Sequence, residues 1–171
     1  MNQIETVSHE FEPVFDKHST VLVLGTMPSP KSREQGFYYG HPRNRFWKVM
    51  AEVLKEPVPE TIPEKQAMLL RHGVAVWDVL KSCDIRGADD GSIRNPVPND
   101  MSRILKNADI RAVFTTGGKA AALYKKYCLP MTGMPSTALP STSPANCGMS
   151  FPVILESYME IRKYLADTLF Y

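Results

Sequence analysis

Residues 21–54 read VLVLGTMPSPKSREQGFYYGHPRNRFWKVMAEVL, and the way this stretch is parsed decides the fold. It opens on an unbroken apolar run, Val21 to Leu24, with the length and β-branched content of a strand buried on both faces of a parallel sheet. Gly25 ends the run, and Pro28 and Pro30 forbid its continuation. A loop of roughly sixteen residues follows, crowded with Tyr38, Tyr39, His41, Arg43 and Asn44; loops this long inside a domain are usually functional. The spacing then predicts a helix from near Arg43, with Phe46, Trp47, Met50, Val53 and Leu54 on one face. A strand that stops at Gly, then a polar and aromatic loop, then a helix sets chemistry at the carboxyl end of a sheet strand, where open α/β sheets take their ligands.

Outward from this stretch, the pattern alternates. Residues 1–18 read as an arm that packs Phe11, Val14 and Phe15 against the domain. Thr61 and Glu64 have capping-box spacing around Pro63, so a helix is expected from there to Gly73. VAVWDVL, 74–80, reads as the second strand, with Asp78 at its exposed carboxyl end because an unpaired carboxylate in a core is costly. Residues 82–98 are loop by composition, and Asn99 is a candidate N-cap for a short helix through Met101, Ile104 and Leu105. RAVFTT, 111–116, is the third strand. Gly117 and Gly118 then open the helix KAAALYKKY, either as a phosphate cradle or for close helix–strand packing. Residues 129–135 form a turn-rich link. A short fourth strand and a Ser/Thr/Pro loop lie within 137–148. The last helix starts near Ser150 with a stripe of Phe151, Ile154, Leu155, Tyr158, Ile161, Leu165 and Leu169. The expected architecture is a three-layer α/β/α sandwich around a central, mainly parallel four-stranded sheet, in a single domain over 1–171.

Composition narrows the function classes. Hydrophobic residues make 43% and charged residues 22% of the 171, an ordinary globular balance. No apolar run approaches a transmembrane length, and the acidic, polar start MNQIETVSHE is no secretory signal. Cys83, Cys128 and Cys147 fit neither a disulfide framework nor a zinc spacing; reduced thiols in a cytoplasmic protein are expected. A net charge of +2 leaves any nucleic-acid binding to a local patch. A serine hydrolase using Ser29 or Ser32 lacks a GxSxG elbow.

The motifs GTMP, YYGHPRN, WDVLKSC, NPVPND and PSTSPAN, in this order over roughly residues 19–165, together resemble the uracil-DNA glycosylase superfamily. They are most like its hypoxanthine-DNA (deoxyinosine) glycosylase branch. GTMPSP with FYYGHPRNRFWKVM resembles the first superfamily motif, and LPSTSPAN resembles the second, a minor-groove loop. The resemblance implies a monofunctional DNA repair glycosylase without metal or cofactor. Such an enzyme flips a deaminated base from DNA and hydrolyses its N-glycosidic bond. The base would be hypoxanthine, with uracil or xanthine as alternatives, and the partner double-stranded or single-stranded DNA. A monomer with no membrane association is expected. Flipping costs a few kcal/mol, offset by pocket contacts. Cleavage through an oxocarbenium-like transition state then needs donors near the base and a positioned water.

The chain departs from the superfamily at two places. Met27 stands where most branches carry Asp, Asn or Glu to orient water, and Leu139 where His or Asn is usual. This agrees with the deoxyinosine branch, in which a Ser or Thr, here Thr26, precedes the Met. It also motivates the alternative of a non-catalytic nucleic-acid or nucleotide-binding module. The polar work then falls to Asn44, with His41 as runner-up. Tyr39 would stack on the flipped base, worth on the order of 1–3 kcal/mol. The backbone around Gly25, Thr26 and Met27 would meet a base carbonyl, and Asp78 would accept from hypoxanthine N1–H, which adenine lacks. Ser141, Thr142 and Ser143 would reach phosphates, with Pro144, Ala145 and Asn146 near the minor groove and Arg43 and Lys119 adding charge. Affinity should fall as salt rises.

Overall fold

Val21, Leu22, Val23 and Leu24 are wholly buried because their strand lies between two parallel neighbours. The structure is a computed structural model that describes residues 3–166; Leu169, at the end of the last apolar stripe, lies outside them. In chain order the strands are β1 Ile4–Ser8, β2 Val21–Gly25, β3 Val74–Asp78, β4 Leu80–Arg86, β5 Asp89–Pro98, β6 Ala112–Thr116 and β7 Ser136–Leu139. The helices are α1 Pro30–Gln35, α2 Phe46–Leu54, α3 Ile62–Arg71, α4 Ser102–Leu105, α5 Gly118–Leu123, α6 Leu129–Thr132 and α7 Phe151–Tyr158.

Strands β3, β2, β6 and β7 form, in that order, an all-parallel sheet. Helices α2 and α7 pack on each other, α3 packs on β3, and α5 on β6 and β7, giving the expected α/β/α sandwich. The stripe of α2 is buried at Phe46, Trp47, Met50, Val53 and Leu54. Each such side chain contributes roughly 1.5–3 kcal/mol of burial. The expected cap at Thr61 is present, its hydroxyl accepting from Glu64 N at 3.2 Å, but the Glu64 carboxylate accepts from Glu60 N, one residue before the cap, rather than closing the capping box on Thr61 N.

Several expectations are corrected. Residues 82–98 are not loop: β4 and β5 form a hairpin that, with β1, makes a second, antiparallel sheet in the order β1-β4-β5. Its local signal is weak because β5 is built from Asp, Gly, Ser, Asn and Pro, buries only Ile93, and pairs with register irregularities. The N-terminal segment is more than an arm, since β1 is paired along its length with β4 and Val14 bridges to Val76. The long loop after β2 holds the helix α1, capped by Ser29. Helix α2 starts at Phe46 rather than near Arg43, and 129–132 closes into a short helix after a π-helical turn at Tyr124–Cys128.

Asn99 is not the cap of α4. It is buried between the two sheets, where its Nδ2 donates to Asp78 O at 2.9 Å and Leu80 O at 3.1 Å. The three cysteines are free, with Cys83 and Cys128 buried and Cys147 exposed. Among the described residues, no helix is long and apolar enough to cross a membrane.

Replacing Asn99 by Ala would strand two buried carbonyls at the junction of the sheets. The expected loss is about 1–3 kcal/mol. Urea unfolding should show a lower midpoint at unchanged slope; an unaltered midpoint would mean the junction is held by other contacts.

Candidate active site

Parallel register brings four strand ends to one edge. Gly25 pairs with Asp78, Leu24 with Thr115, and Thr116 with Leu139. A β-carbon on Gly25 would stand 2.5 Å from Asp78 Oδ1, 3.1 Å from Tyr39 Oη and 3.6 Å from Thr116 Oγ1. Gly25 is therefore glycine for close approach: a β-carbon there would displace Asp78 Oδ1 and crowd Tyr39 Oη, while Thr116 Oγ1 would remain in ordinary contact.

Asp78 is not exposed as its strand-end position suggested; it is 4% exposed. Its Oδ2 accepts from His9 Nε2 at 2.8 Å, with both side chains at most 5% exposed. A buried carboxylate needs such a donor. His9 follows β1 and is held by its own amide, which donates to Lys81 O at 2.7 Å. Its ring packs against Phe11 and Tyr38.

The loop after β2 is tied internally. Ser29 Oγ accepts from Ser32 N, and Ser32 Oγ accepts from Gly40 N at 2.9 Å, so both serines serve the loop's own backbone. Tyr38 is buried and donates to Glu12 O at 2.8 Å. Tyr39 has a left-handed backbone, φ 53°. Its ring stacks on Phe46 at 3.7 Å between centroids and 6° between planes, and its hydroxyl shares a hydrogen bond with Thr116 Oγ1 at 3.3 Å. Burial first, and the nearby Asp78 second, push its phenol well above the ordinary value, so it stays protonated. His41 Nδ1 accepts from Arg43 N at 3.1 Å, which leaves Nε2 to carry the proton of a neutral ring. Asn44 lies in the turn before α2, not in its first turn, and its Oδ1 accepts from Phe46 N at 2.9 Å.

The loop after β7 is tied to the same turn by Arg45. Its Nη1 donates to Met149 O at 2.6 Å and its Nη2 to Asn146 O at 2.8 Å, while its amide donates to Thr142 O. Ser141 Oγ and Ser143 Oγ accept from Ser143 N and Ala145 N, and each hydroxyl keeps a proton to donate. Thr142 is 1% exposed, so it sits behind the turn rather than on its surface. Asn146 Nδ2 donates to Ser141 O at 2.9 Å. The Gly117 amide donates to Leu139 O at 2.8 Å, so it is spent on packing and not on a phosphate.

These segments enclose a cavity of about 310 Å³, at the low end of the roughly 300–1,000 Å³ of small-molecule sites. Of the residues singled out from sequence, Gly25, Thr26, Met27, Tyr39, His41, Asn44, Asp78, Ser141, Thr142, Ser143 and Pro144 line it. Arg43, exposed, and Lys119 and Asn146, half-buried, lie outside the lining. Three contributors escaped sequence reasoning. His9 reaches Asp78 across 69 positions, a pairing with no local signal. Arg45 stood unremarked within HPRNRFW. The third is the tip of the β4–β5 hairpin, where Ile85, Gly87, Ala88 and Asp90 form one wall. Desolvation by the surrounding protein lifts the Asp90 carboxyl above the usual carboxylate range, with Lys119 opposing and Asp89 and Asp78 adding.

Comparison with known proteins agrees with this geometry. The hypoxanthine DNA glycosylase of Methanosarcina acetivorans is 30% identical over 141 residues, 82% of this chain and 89% of its own. That of Methanosarcina barkeri is 29% identical over 137 residues, 80% and 86% of the two chains. A solution NMR structure from M. acetivorans, described as a candidate uracil DNA glycosylase, superposes with a TM-score of 0.75 at 27% identity, over 89% of this chain and 96% of that one. The model of the uracil DNA glycosylase superfamily matches residues 12–166, and the chain therefore belongs to that superfamily, as a DNA glycosylase.

Proposed function

We propose that this glycosylase removes a deaminated base, hypoxanthine foremost, from DNA and leaves an abasic site. The observation that carries the reading is the convergence of Tyr39, Asn44, Asp78 and the 141–144 turn on one cavity. Similarity to two proteins named hypoxanthine DNA glycosylase supports it.

Asp78 is the reader of the base. Deamination turns the ring-nitrogen acceptor of adenine or cytosine into an N–H, and an ionised carboxylate only accepts. Hypoxanthine and uracil therefore offer Asp78 a proton where adenine and cytosine offer a repelling lone pair, while xanthine carries the N–H as its parent guanine does. Guanine and thymine carry the same N–H, so their rejection rests on the walls of the pocket. Tyr39, braced from behind by Phe46, stacks on the extruded ring. The backbone at Gly25, Thr26 and Met27 faces a base carbonyl.

Bond cleavage leaves negative charge on the base and positive charge on the sugar. His41, its Nδ1 already occupied, presents Nε2–H to the departing base or a phosphate. Asn44 has one lone pair of Oδ1 committed to Phe46 N; the second accepts from the attacking water, and its amino group donates to base or sugar. Such a transition state asks that the water be oriented more than deprotonated, so an amide suffices where Met27 cannot serve. Among the described residues no lysine lines the cavity, which favours simple hydrolysis over a lyase step through an imine. Ser141 and Ser143 donate to phosphates, Pro144, Ala145 and Asn146 sit near the minor groove, and Arg43 and Lys119 supply charge to the backbone. The enzyme acts as a monomer, in the cytoplasm, on double-stranded DNA with single strands as an alternative.

The apolar pair Met27 and Leu139 favours a second reading, a DNA-binding module that kept the fold and lost the chemistry. Duplexes with one deoxyinosine, deoxyuridine or deoxyxanthosine separate the two. Alkali-labile abasic sites, most from deoxyinosine, are expected; retention of the duplex without abasic sites would leave only the binding module. In Asn44→Ser, which keeps a cap acceptor but no amide, single-turnover base release should fall on the order of 10²–10³-fold. The melting temperature should move little, and unchanged release would remove Asn44 from the mechanism.

A further inference from the structure

We propose that His9 is a positioning residue for base recognition: its Nε2–H holds Asp78 Oδ2 and thereby leaves Oδ1 as the single acceptor offered to the flipped base. This rests on the base-reading role of Asp78 argued above and adds to it a residue from outside the strand-end motifs.

The geometry is specific. Oδ2 and Nε2 are 2.8 Å apart with both side chains essentially closed to solvent. Oδ1 lies on the other side of the carboxyl group, over the bare α-carbon of Gly25 and beside the Tyr39 hydroxyl, and has no hydrogen-bond partner among the described residues. A carboxylate free to rotate would present either oxygen; the bond from His9 to Oδ2 fixes which one faces the pocket. The ionised carboxylate can only accept, so the proton of this bond belongs to Nε2.

His9 is itself fixed. Pairing of β1 with β4 ends at Ser8 opposite Ser82, and the next amide donates to Lys81 O. Phe11 and Tyr38 flank the imidazole, excluding water and strengthening the bond. The ionisable side chains that interact with Asp78 are His9, Tyr38, Tyr39 and Asp90. Tyr38 and Tyr39 stay protonated because burial, and then the charge of Asp78, raise both phenols. His9 is thus the partner that bonds Asp78 directly. The antiparallel sheet, whose Val7, Cys83, Ile85 and Ile93 join the same core as the parallel strands, carries the chain from β1 into the position of His9.

The test compares wild type, His9→Phe, His9→Gln, Asp78→Asn and the double variant His9→Phe/Asp78→Asn. Each is assayed by melting temperature and by single-turnover release of hypoxanthine, with adenine release as the control. His9→Phe should lose about ten- to a hundredfold in hypoxanthine release, the worth of one hydrogen bond to a charge. His9→Gln, whose amide can still donate to Oδ2, should recover most of it. The double variant should be no worse than Asp78→Asn alone, because both changes remove one function. Wild-type release by His9→Phe, or losses that multiply in the double variant, would overturn the proposal. If Asp78→Asn keeps both its hypoxanthine rate and its selectivity, the base-reading role falls first; a defective Asp78→Asn beside a normal His9→Phe removes His9 alone. Should His9→Phe fail to fold, the ¹⁵N shifts of the wild-type imidazole decide: a bare Nε2 with the proton on Nδ1 contradicts the arrangement.

Discussion

The site depends on one constraint, the in-register parallel pairing of β2 with β3 at a residue with no side chain, with β6 paired to β2 up to the residue before it. Gly25 stands opposite Asp78, and Asp78, Tyr39 and Thr116 bring oxygens to within 3.6 Å of where a β-carbon would be. Slippage by one residue would turn Asp78 to the other face of the sheet. It would also carry Leu24 to the position where the oxygens meet. The sheet is protected from such slippage by burial on both faces, since every residue of β2 and β3 is closed to solvent. Core packing and recognition are here the same fact: the apolar run that makes β2 insoluble by itself also fixes where the polar atoms converge.

Around this edge the loops are locked by polar groups turned inward. Arg45 is an arginine in a DNA glycosylase whose guanidinium is occupied by Asn146 O and Met149 O. Each charge-assisted bond is worth roughly 1.5–3 kcal/mol, and together they join the turn bearing His41 and Asn44 to the turn bearing Ser141 and Ser143. Tyr158 adds a tie from α7 to Pro140 O at 2.8 Å. The two loops therefore form one preset surface, so little ordering would remain to be done on binding.

How much of this could be read in the chain divides along physical lines. The run at Val21–Leu24, the α2 stripe and the Thr61 cap are local signals, each decided by neighbours within a turn or a strand, and each was legible. The convergence of the strand ends was legible too, because parallel β-α-β connection allows few arrangements. The β4–β5 hairpin was not: with one buried residue in β5, its pairing comes from long-range partners, and its Asp, Gly and Pro content mimics a loop. Asn99 has a capping residue's identity but spends its amide on two carbonyls between sheets. Asp78 was placed correctly at a strand end and wrongly in solvent, because its partner, His9, stands 69 residues away. Asn44 proved to precede its helix, a shift of a turn that leaves it lining the cavity all the same.

A carboxylate beside a departing base, the role proposed here for Asp78, is a mixed asset. It selects for a ring N–H, yet it faces the negative charge that moves onto the base as the glycosidic bond breaks. Two such charges 4 Å apart repel by roughly 4 kcal/mol at an effective dielectric of about 20, enough to cancel a large part of what donors around the base supply. A donor on the far oxygen changes this balance. The Nε2–H of His9 draws charge density of Asp78 toward Oδ2, away from the pocket, and does so behind Phe11 and Tyr38 where water cannot compete. The same contact that selects the reading oxygen therefore softens its opposition to the transition state. It also makes sense of the apolar residues at Met27 and Leu139: with a charge already committed to recognition, a second carboxylate at the position of Met27 would add repulsion against the same leaving group. On the proposed reading, selection for a ring N–H rests on one buried pair and the remaining discrimination on the pocket walls, and the apolar residues at Met27 and Leu139 are in keeping with it.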